Sequence, residues 1–383
     1  MSLSDSPLVC ETETQHGNWR RWLLLIALVY LMLLAVSMIG SGFKLAAGDH
    51  AKTLFTFASN PIMGLIIGMV ATALIQSSST VTSIIVGMVA GGLPITIAVP
   101  MMMGANIGTS ITNTLVSLGH VAKKDEFQRA FNAATIHDFF NVMSVIIFLP
   151  LEMAFGILEH SSAFVVSMLN TGGTMGVDGF NPIKALTQPA LNIVTGMVSG
   201  LPSVYPGIAK IILGIGLIVT SITYMGKIMK SLMVGKAKDI LHKSIGKGPI
   251  SGISSGALMT VLVQSSSTTT SLVVPLVGSG ILKAKDIYPF TLGANIGTCI
   301  TALIAALGVV GVNAAFALQI ALVHLLYNVF SVVLIYGTPM LRNIPLDLSY
   351  KLSVIVAEKK FYGVAYIGGL FFCMPLGIIF MSV

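Results

Sequence analysis

The sequence predicts an all-α polytopic membrane protein made of two inverted repeats, each with a re-entrant helical hairpin and broken transmembrane helices, plus one extra C-terminal transmembrane helix. Two observations support this fold class. First, 55% of the 383 residues are hydrophobic and only 9% are charged, whereas soluble domains carry about 25% charged residues. Second, polar motifs that are costly to bury occur twice within apolar segments. Polar residues at membrane depth mark functional sites.

The duplicated motifs follow the same order in both halves of the chain. They are Gln-Ser-Ser-Ser-Thr at 76–80 and 264–268, Gly-Ala-Asn-Ile-Gly-Thr at 104–109 and 293–298, and His-x-x-x-Asn-Val at 137–142 and 324–329. The two copies of each motif are separated by 187 to 189 residues. A nearly constant separation identifies an internal duplication.

Several apolar runs are long enough, or nearly so, to cross ~30 Å of hydrocarbon at 1.5 Å per residue. They are 22–39, 208–225, 316–336 and 364–379. The last of these belongs to a seventh crossing, at about 361–381, which has no counterpart in the duplication.

Each serine cluster follows an apolar segment that is too short to span a membrane. Asn60 and Pro61 are typical of a helix start, as cap and first residue. From there, 61–75 covers only about 22 Å. The corresponding segments are 249–263 before the second cluster, and 81–90 and 269–277 after the two clusters. Each cluster therefore reads as the tip of a re-entrant hairpin, and one long tilted helix over 61–90 is the alternative.

The distribution of basic residues favours the hairpins. If residues 1–19 form a cytoplasmic tail and both clusters re-enter, 17 of the 21 lysines and arginines fall on the cytoplasmic side, as the positive-inside rule requires. Each repeat then has three crossings, and this odd number turns the second repeat upside down. The expected segments are the tail 1–19, the first repeat 20–160, an external linker 161–205, the second repeat 206–345 and the C-terminal helix 346–383. Inverted repeats with broken helices are typical of transporters that work by alternating access.

The duplicated hydroxyl groups predict an anion site. Serine and threonine donate as well as accept hydrogen bonds, and free N–H groups at a helix start favour anions. Two hairpin tips that enter from opposite faces can clasp one small oxyanion. The residues assigned to it are Ser77, Ser78, Ser79, Thr80, Ser265, Ser266, Ser267 and Thr268.

Oxygen atoms beside the clusters predict a site for a hard cation such as sodium. Helix-end carbonyls and the side chains of Gln76 and Gln264 supply such oxygens. In the Gly-Ala-Asn-Ile-Gly-Thr segments the glycines weaken a helix, so we expect unwound, cation-binding segments. Close helix packing through small residues is the alternative. The ligands expected from these segments are Asn106, Thr109, Asn295 and Thr298.

Asp138 is an acidic residue in an apolar stretch, and the matching position in the second half is Leu325. One added negative charge in a duplicated site predicts one added cation. The alternative is a structural pair with Arg129 or His137, since buried carboxylates usually need a partner. For His137 and His324, a helix-packing hydrogen bond is favoured over a proton relay.

Two further stretches are distinctive: Asp-Glu-Phe-Gln-Arg-Ala-Phe at 125–131 and His-Asp-Phe-Phe-Asn at 137–141. With these and the paired Gln-Ser-Ser-Ser clusters, the chain closely resembles the type II sodium-dependent phosphate cotransporters over roughly 20–160 and 206–340. The resemblance implies phosphate as the anion and sodium as the coupling ion, with no cofactor. It also implies a bacterial member, multi-pass in the inner membrane with a cytoplasmic N-terminus, because the large cysteine-containing central loop of animal members is absent from this sequence.

The resemblance further implies individual roles. It places phosphate near both serine clusters and sodium around Gln264, Ser265, Thr298 and Thr301. We add Asn141 to the expected sodium ligands. Asp138 matches an acidic position of the electrogenic members, which implies electrogenic transport. Ala294 stands where some relatives carry a serine.

Other functions stay open at this point. The same scaffold can carry another oxyanion, such as sulfate or arsenate. An ion channel needs a continuous polar stripe, whereas the polar residues here cluster. An intramembrane serine hydrolase needs a single serine with a base, so we expect no enzyme. The expected partners are phosphate, sodium and membrane lipid, with a homodimer left open. We attribute the formal charge of +7 to basic loops that orient the protein in the membrane, and not to nucleic-acid binding.

Overall fold

The computed structural model describes residues 18–47, 60–171, 182–244 and 247–382, and these residues form helices with no strand. Most of the predicted tail 1–19 lies outside them. The α-helices are α1 Asn18–Ala47, α2 Pro61–Ile75, α3 Ser78–Ala90, α4 Ile95–Thr109, α5 Ile111–Ser117, α6 Lys124–Phe155, α7 Ile157–Thr171, α8 Pro182–Val198, α9 Tyr205–Ser244, α10 Pro249–Val263, α11 Ser266–Ser271, α12 Val274–Gly278, α13 Ala284–Leu307, α14 Ala314–Ser331, α15 Pro339–Glu358, α16 Phe361–Gly368 and α17 Met374–Ser382.

Seven helical segments of the described chain are long and apolar enough to cross a membrane. They are Trp19–Ala46, Ile95–His120, Lys124–Phe155, Tyr205–Leu232, Ala284–Leu307, Ala314–Tyr336 and Phe361–Met381. The predicted all-α polytopic membrane fold is thereby confirmed. Large apolar side chains such as Ile26, Ile212 and Phe380 are exposed on these spans, as expected of a surface that faces lipid.

The first hairpin is visible in how α2 packs on α4. Gly64 lies against Ile97 and Pro100, whereas Gly108 lies against Met69 and Thr72. Contacts that advance together along both helices mean that α2 and α4 run parallel. Because α3 connects them, it must run back in the opposite direction. The alternative of a single helix over 61–90 is therefore wrong.

The second hairpin has the same arrangement. Gly252 lies against Pro289 on α13, and Gly297 lies against Ala257 and Thr260 on α10, so α10 and α13 run parallel as well. The return arm differs from the expected continuous helix over 269–277, since it is split into α11 and α12. Pro275 explains the break, because in a continuous helix its ring would clash with the carbonyl of the residue four positions earlier.

The two Gly-Ala-Asn-Ile-Gly-Thr segments are helical, within α4 and α13. The expected unwinding is wrong, and the alternative of close helix packing holds. A Cβ atom on Gly104 would collide with the carbonyl of Leu65, and one on Gly293 with the carbonyl of Ile253. The glycines are therefore needed for the close approach of each motif helix to its hairpin.

The first spans of the two halves, α1 and α9, pack against each other in opposite directions. Gly42 lies against Gly207 and Lys210, whereas Gly214 lies against Ala35 and Ile39. The contacts advance along α9 as they go back along α1. The two equivalent spans are therefore antiparallel.

The segments at the ends of the repeats contain further helices. The predicted linker 161–205 includes the end of α7 and all of α8, and the Tyr30 hydroxyl on α1 donates to the Leu186 carbonyl on α8 at 3.1 Å. The predicted C-terminal segment 346–383 contains the second half of α15 before the last span begins. These domain boundaries stay predictions.

Candidate functional site

The two hairpin tips have nearly the same backbone conformation. Gln76 and Gln264 end α2 and α10 in the left-handed region, with φ of 59° and 55°. Ser77 and Ser265 follow in extended conformation. A left-handed conformation costs about 1–2 kcal/mol in a residue with a side chain. Such strain concentrates at functional sites, and here it occurs at the same position of both repeats.

Each extended serine caps the arm that follows it. The Ser77 hydroxyl accepts a hydrogen bond from the Thr80 N–H at 3.3 Å, and the Ser265 hydroxyl accepts one from the Thr268 N–H at 3.1 Å. A serine cap satisfies one of the free N–H groups of a helix start. The first residue of each Ser-Ser-Ser cluster therefore has a structural role in addition to any binding role.

A threonine shortly after each Gly-Ala-Asn-Ile-Gly-Thr motif donates a hydrogen bond to the glutamine at the hairpin tip. The Thr112 hydroxyl donates to Gln76 Oε1 at 2.9 Å, and the Thr301 hydroxyl donates to Gln264 Oε1 at 3.1 Å. Thr301 was among the expected sodium ligands, but Thr112 was missed. Applying the repeat separation of 189 residues to Thr301 finds it.

The two tips meet at one cavity of about 320 Å³. Gln76 and Ser77 line it from the first hairpin, and Gln264, Ser265 and Thr268 from the second. The cavity thus brings together residues that are 188 positions apart in the sequence. The structure buries the other predicted anion residues and does not place them in the cavity lining: Ser78, Ser79, Thr80, Ser266 and Ser267.

The predicted threonine ligands have hydroxyls that bond to their own helices. Thr109 Oγ1 donates to the Ala105 carbonyl at 2.9 Å, and Thr298 Oγ1 donates to the Ala294 carbonyl at 3.0 Å. Because each hydroxyl proton is used in this hydrogen bond, the lone pairs of the oxygen remain available to coordinate a cation.

The two motif asparagines make reciprocal contacts between the halves of the chain. Asn106 Nδ2 donates to Asn328 Oδ1 at 3.0 Å, and Asn106 Oδ1 lies 3.0 Å from His324 Nε2. In the same way, Asn295 Nδ2 donates to Asn141 Oδ1 at 2.8 Å, and Asn295 Oδ1 lies 2.7 Å from a histidine nitrogen, His137 Nε2. Each amide group is thus engaged by the other half.

Asp138 is fully buried, and its carboxylate interacts with the hydroxyls of Ser110, Thr114 and Tyr366. Its Oδ2 accepts from Thr114 at 3.1 Å and from the Tyr366 hydroxyl at 3.0 Å. Within the described chain, Oδ1 has no hydrogen-bond partner. The expected alternative partner Arg129 instead donates to the Gly278 carbonyl at 2.9 Å. A buried carboxylate without a cationic partner is costly, so this oxygen is suited to a bound cation.

The two halves differ around Asn113, on α5. Its Nδ2 lies 3.3 Å from His137 Nδ1, and its Oδ1 accepts from Thr270 at 2.8 Å. These bonds tie α6 to the return arm of the second hairpin. Ala302 stands at the matching position of the second repeat and cannot make them.

The sequence matches the model of the Na+/Pi-cotransporter family over residues 31–172 and 217–344. The chain is 32% identical to sodium-dependent phosphate transport protein 2A of Ovis aries over an alignment of 425 residues, which covers 92% of this chain and 66% of that protein. It is 31% identical to sodium-dependent phosphate transport protein 2B of Homo sapiens over 452 residues, covering 94% of this chain and 65% of that one. The chain therefore spans slightly under two thirds of the length of these relatives.

No solved structure gives a significant match to this chain. The family match takes in both copies of the serine clusters, of the motif helices and of the histidine helices. It covers most of the residues, and the relatives align over more than nine tenths of the chain. The protein is therefore a member of the Na+/Pi-cotransporter family.

Proposed function

We propose that this protein carries inorganic phosphate into the cell together with sodium, by alternating access. The observation that carries the proposal is the meeting of two hydroxyl-rich hairpin tips, one from each repeat, at a single cavity. The identity of the two ions comes from the relatives, which are sodium-dependent phosphate transport proteins. Hydroxyl groups and backbone N–H groups bind an oxyanion without full charge neutralisation.

Phosphate is proposed to contact Ser77, Ser265 and Thr268 in the cavity wall. The remaining serines and threonines of the two clusters are proposed to complete the site when the tips move. For sodium, the proposed ligands are Gln264, Ser265, Thr298 and Thr301, with Gln76 and Thr109 at the matching positions of the first repeat. Asn106, Asn141 and Asn295 are proposed to hold the repeats together, because their amide groups are engaged in the reciprocal contacts.

Uptake into proteoliposomes tests this function. We expect radiolabelled phosphate to accumulate inside when sodium is outside, and at most about a tenth of that signal with potassium outside, since coupling requires the ion that fits the site. Excess unlabelled sulfate or arsenate tests the alternative of another oxyanion. Sodium-driven sulfate uptake without phosphate uptake would replace phosphate by sulfate in this proposal.

We further propose that the repeats are inverted and that the N-terminus lies in the cytoplasm of a bacterial inner membrane. Three candidate spans in each half and the antiparallel packing of α1 and α9 support inversion, because equivalent spans of an inverted pair run in opposite directions. The positive-inside rule supports the orientation. A homodimer stays a prediction.

Single cysteines test the topology. In a background without the native cysteines, Ser199→Cys and Lys247→Cys flank one span, Tyr205–Leu232. We expect a membrane-impermeant thiol reagent to label the first from the periplasm and the second from the cytoplasm. Labelling of both from one side would contradict the assignment.

A further inference from the structure

Two lysines line the cavity between the hairpin tips. Lys227 and Lys230 lie on α9 and share the cavity wall with the two tips. Both belong to the basic residues that the positive-inside rule places on the cytoplasmic side, and α9 continues through both of them. They lie three residues apart, so they face the same side of the helix.

Among the described residues, neither ammonium group has a counterion. No acidic residue of the described chain lines the cavity, and neither lysine forms an ion pair with a described residue. Lys227 Nζ lies 5.0 Å from the ring centroid of Tyr224. A ring face attracts a cation but does not neutralise it, so the cavity carries positive charge.

The lysines are brought to the second tip by the close approach of α9. A Cβ atom on Gly226 would lie 3.4 Å from the carbonyl of Val263, the residue before Gln264. From α9, Ile222 and Thr223 also line the cavity, so the two lysines supply the charge on this side of the cavity. At the matching positions of the first repeat, α1 carries Ile39 and Gly42. The basic wall therefore belongs to one repeat only.

We propose that Lys227 and Lys230 form an anion subsite at the mouth of the phosphate site, which draws phosphate into the cavity and holds it next to the two tips. This inference rests on the proposed function. A cleft with charges of one sign raises the local concentration of a ligand of opposite charge. The occupant is free phosphate and not a lipid headgroup, because each tip presents a glutamine amide and a serine hydroxyl to the cavity, and these groups suit a small oxyanion.

The first test measures the charge of the cavity without using phosphate. In a cysteine-free background, Thr223→Cys places a thiol on the cavity wall. The purified protein in lipid-free detergent is treated with two thiosulfonate reagents of similar size, one anionic (sulfonatoethyl) and one cationic (trimethylammonioethyl). We expect K227Q/K230Q to lower the ratio of anionic to cationic reaction rates by about tenfold. K351Q, which removes an exposed lysine elsewhere, should leave the ratio unchanged.

The second test measures the equilibrium binding of radiolabelled phosphate in sodium at several ionic strengths. We expect K227Q/K230Q to weaken binding several-fold and to reduce its dependence on ionic strength, whereas K227R/K230R and K351Q should resemble the parent. Both lysines are exposed, and monodispersity on gel filtration checks folding.

Three results would overturn the subsite. One is an unchanged reagent ratio in K227Q/K230Q. Another is a changed reagent ratio with unchanged phosphate binding, which would mean that the lysines orient the protein in the membrane but do not bind phosphate. The third is competition by added phosphatidylglycerol, which would assign the charge to a lipid headgroup. A parent protein that binds no phosphate would instead refute the proposed function, while the reagent ratio would still report the charge of the cavity.

Discussion

The triple variant S77A/S78A/S79A should lose sodium-driven phosphate uptake by about 100-fold or more, and so should the matching triple variant at 265–267. Each hydrogen bond to a charged ligand contributes about 1.5–3 kcal/mol, so the loss of even two from either tip reaches that size. Both tips line the same cavity, and neither one alone can replace the other. Uptake by the variants and the parent is measured in proteoliposomes at equal protein content.

Ser77 and Ser265 also cap helices, so stability has to be separated from binding. Losing one cap costs about 1 kcal/mol, and Ser77→Asn keeps a capping side chain while it changes the binding group. The control S162A/S167A/S353A removes three serines whose hydroxyls donate to carbonyls of their own helices, and it should transport like the parent. Full activity in either cluster variant would show that the two tips do not share one anion.

Asp138→Gly should leave some phosphate uptake but remove one sodium ion from each cycle. In the described structure the carboxylate has no cationic partner, and its Oδ1 has no hydrogen-bond partner, so we expect it to bind a cation during transport. One charge moved across the membrane potential is worth ~2.3 kcal/mol per 100 mV, which corresponds to about 50-fold in accumulation. The variant should lose this response when a valinomycin-potassium potential is imposed, because its cycle carries one fewer positive charge inward.

Asp347→Asn is the matched control, since it removes an exposed carboxylate on α15 and should keep the voltage response. Tyr366→Phe removes one hydrogen bond from Asp138 Oδ2 but leaves the charge, so it should change sodium affinity and retain electrogenic transport. A glycine variant as sensitive to voltage as the parent would assign Asp138 a structural role.

The hairpins were predictable because their signals are local. Asn60 accepts a hydrogen bond from the Ile62 N–H and Pro61 begins α2, as the cap rules require. The first arm of the second hairpin, α10, begins at Pro249 and ends at Val263 as expected. The convergence of the tips followed from the duplication, since two equivalent tips can share one site.

Other features depend on contacts that the sequence does not reveal. In the sequence, Gly104 and Gly293 are equally consistent with an unwound helix and with close packing against a neighbouring helix. The close contacts with the carbonyls of Leu65 and Ile253 show that the second explanation is correct. The apolar run 208–225 does not show that α9 continues as a helix through Lys227. Helix length past a span depends on packing and not on hydropathy alone.

The reciprocal contacts of Asn106 and Asn295 join the two halves of the protein by equivalent hydrogen bonds. The same bond set is made twice, so either half can acquire a new residue while the other copy keeps the original arrangement. The halves differ in this way at Asp138 opposite Leu325, Asn113 opposite Ala302 and Lys227 opposite Ile39. Each adds charge or a polar bond on one side only. Duplication thus supplied a symmetric scaffold, and divergence of single positions within it is a route by which a symmetric pair of halves gains a preferred direction.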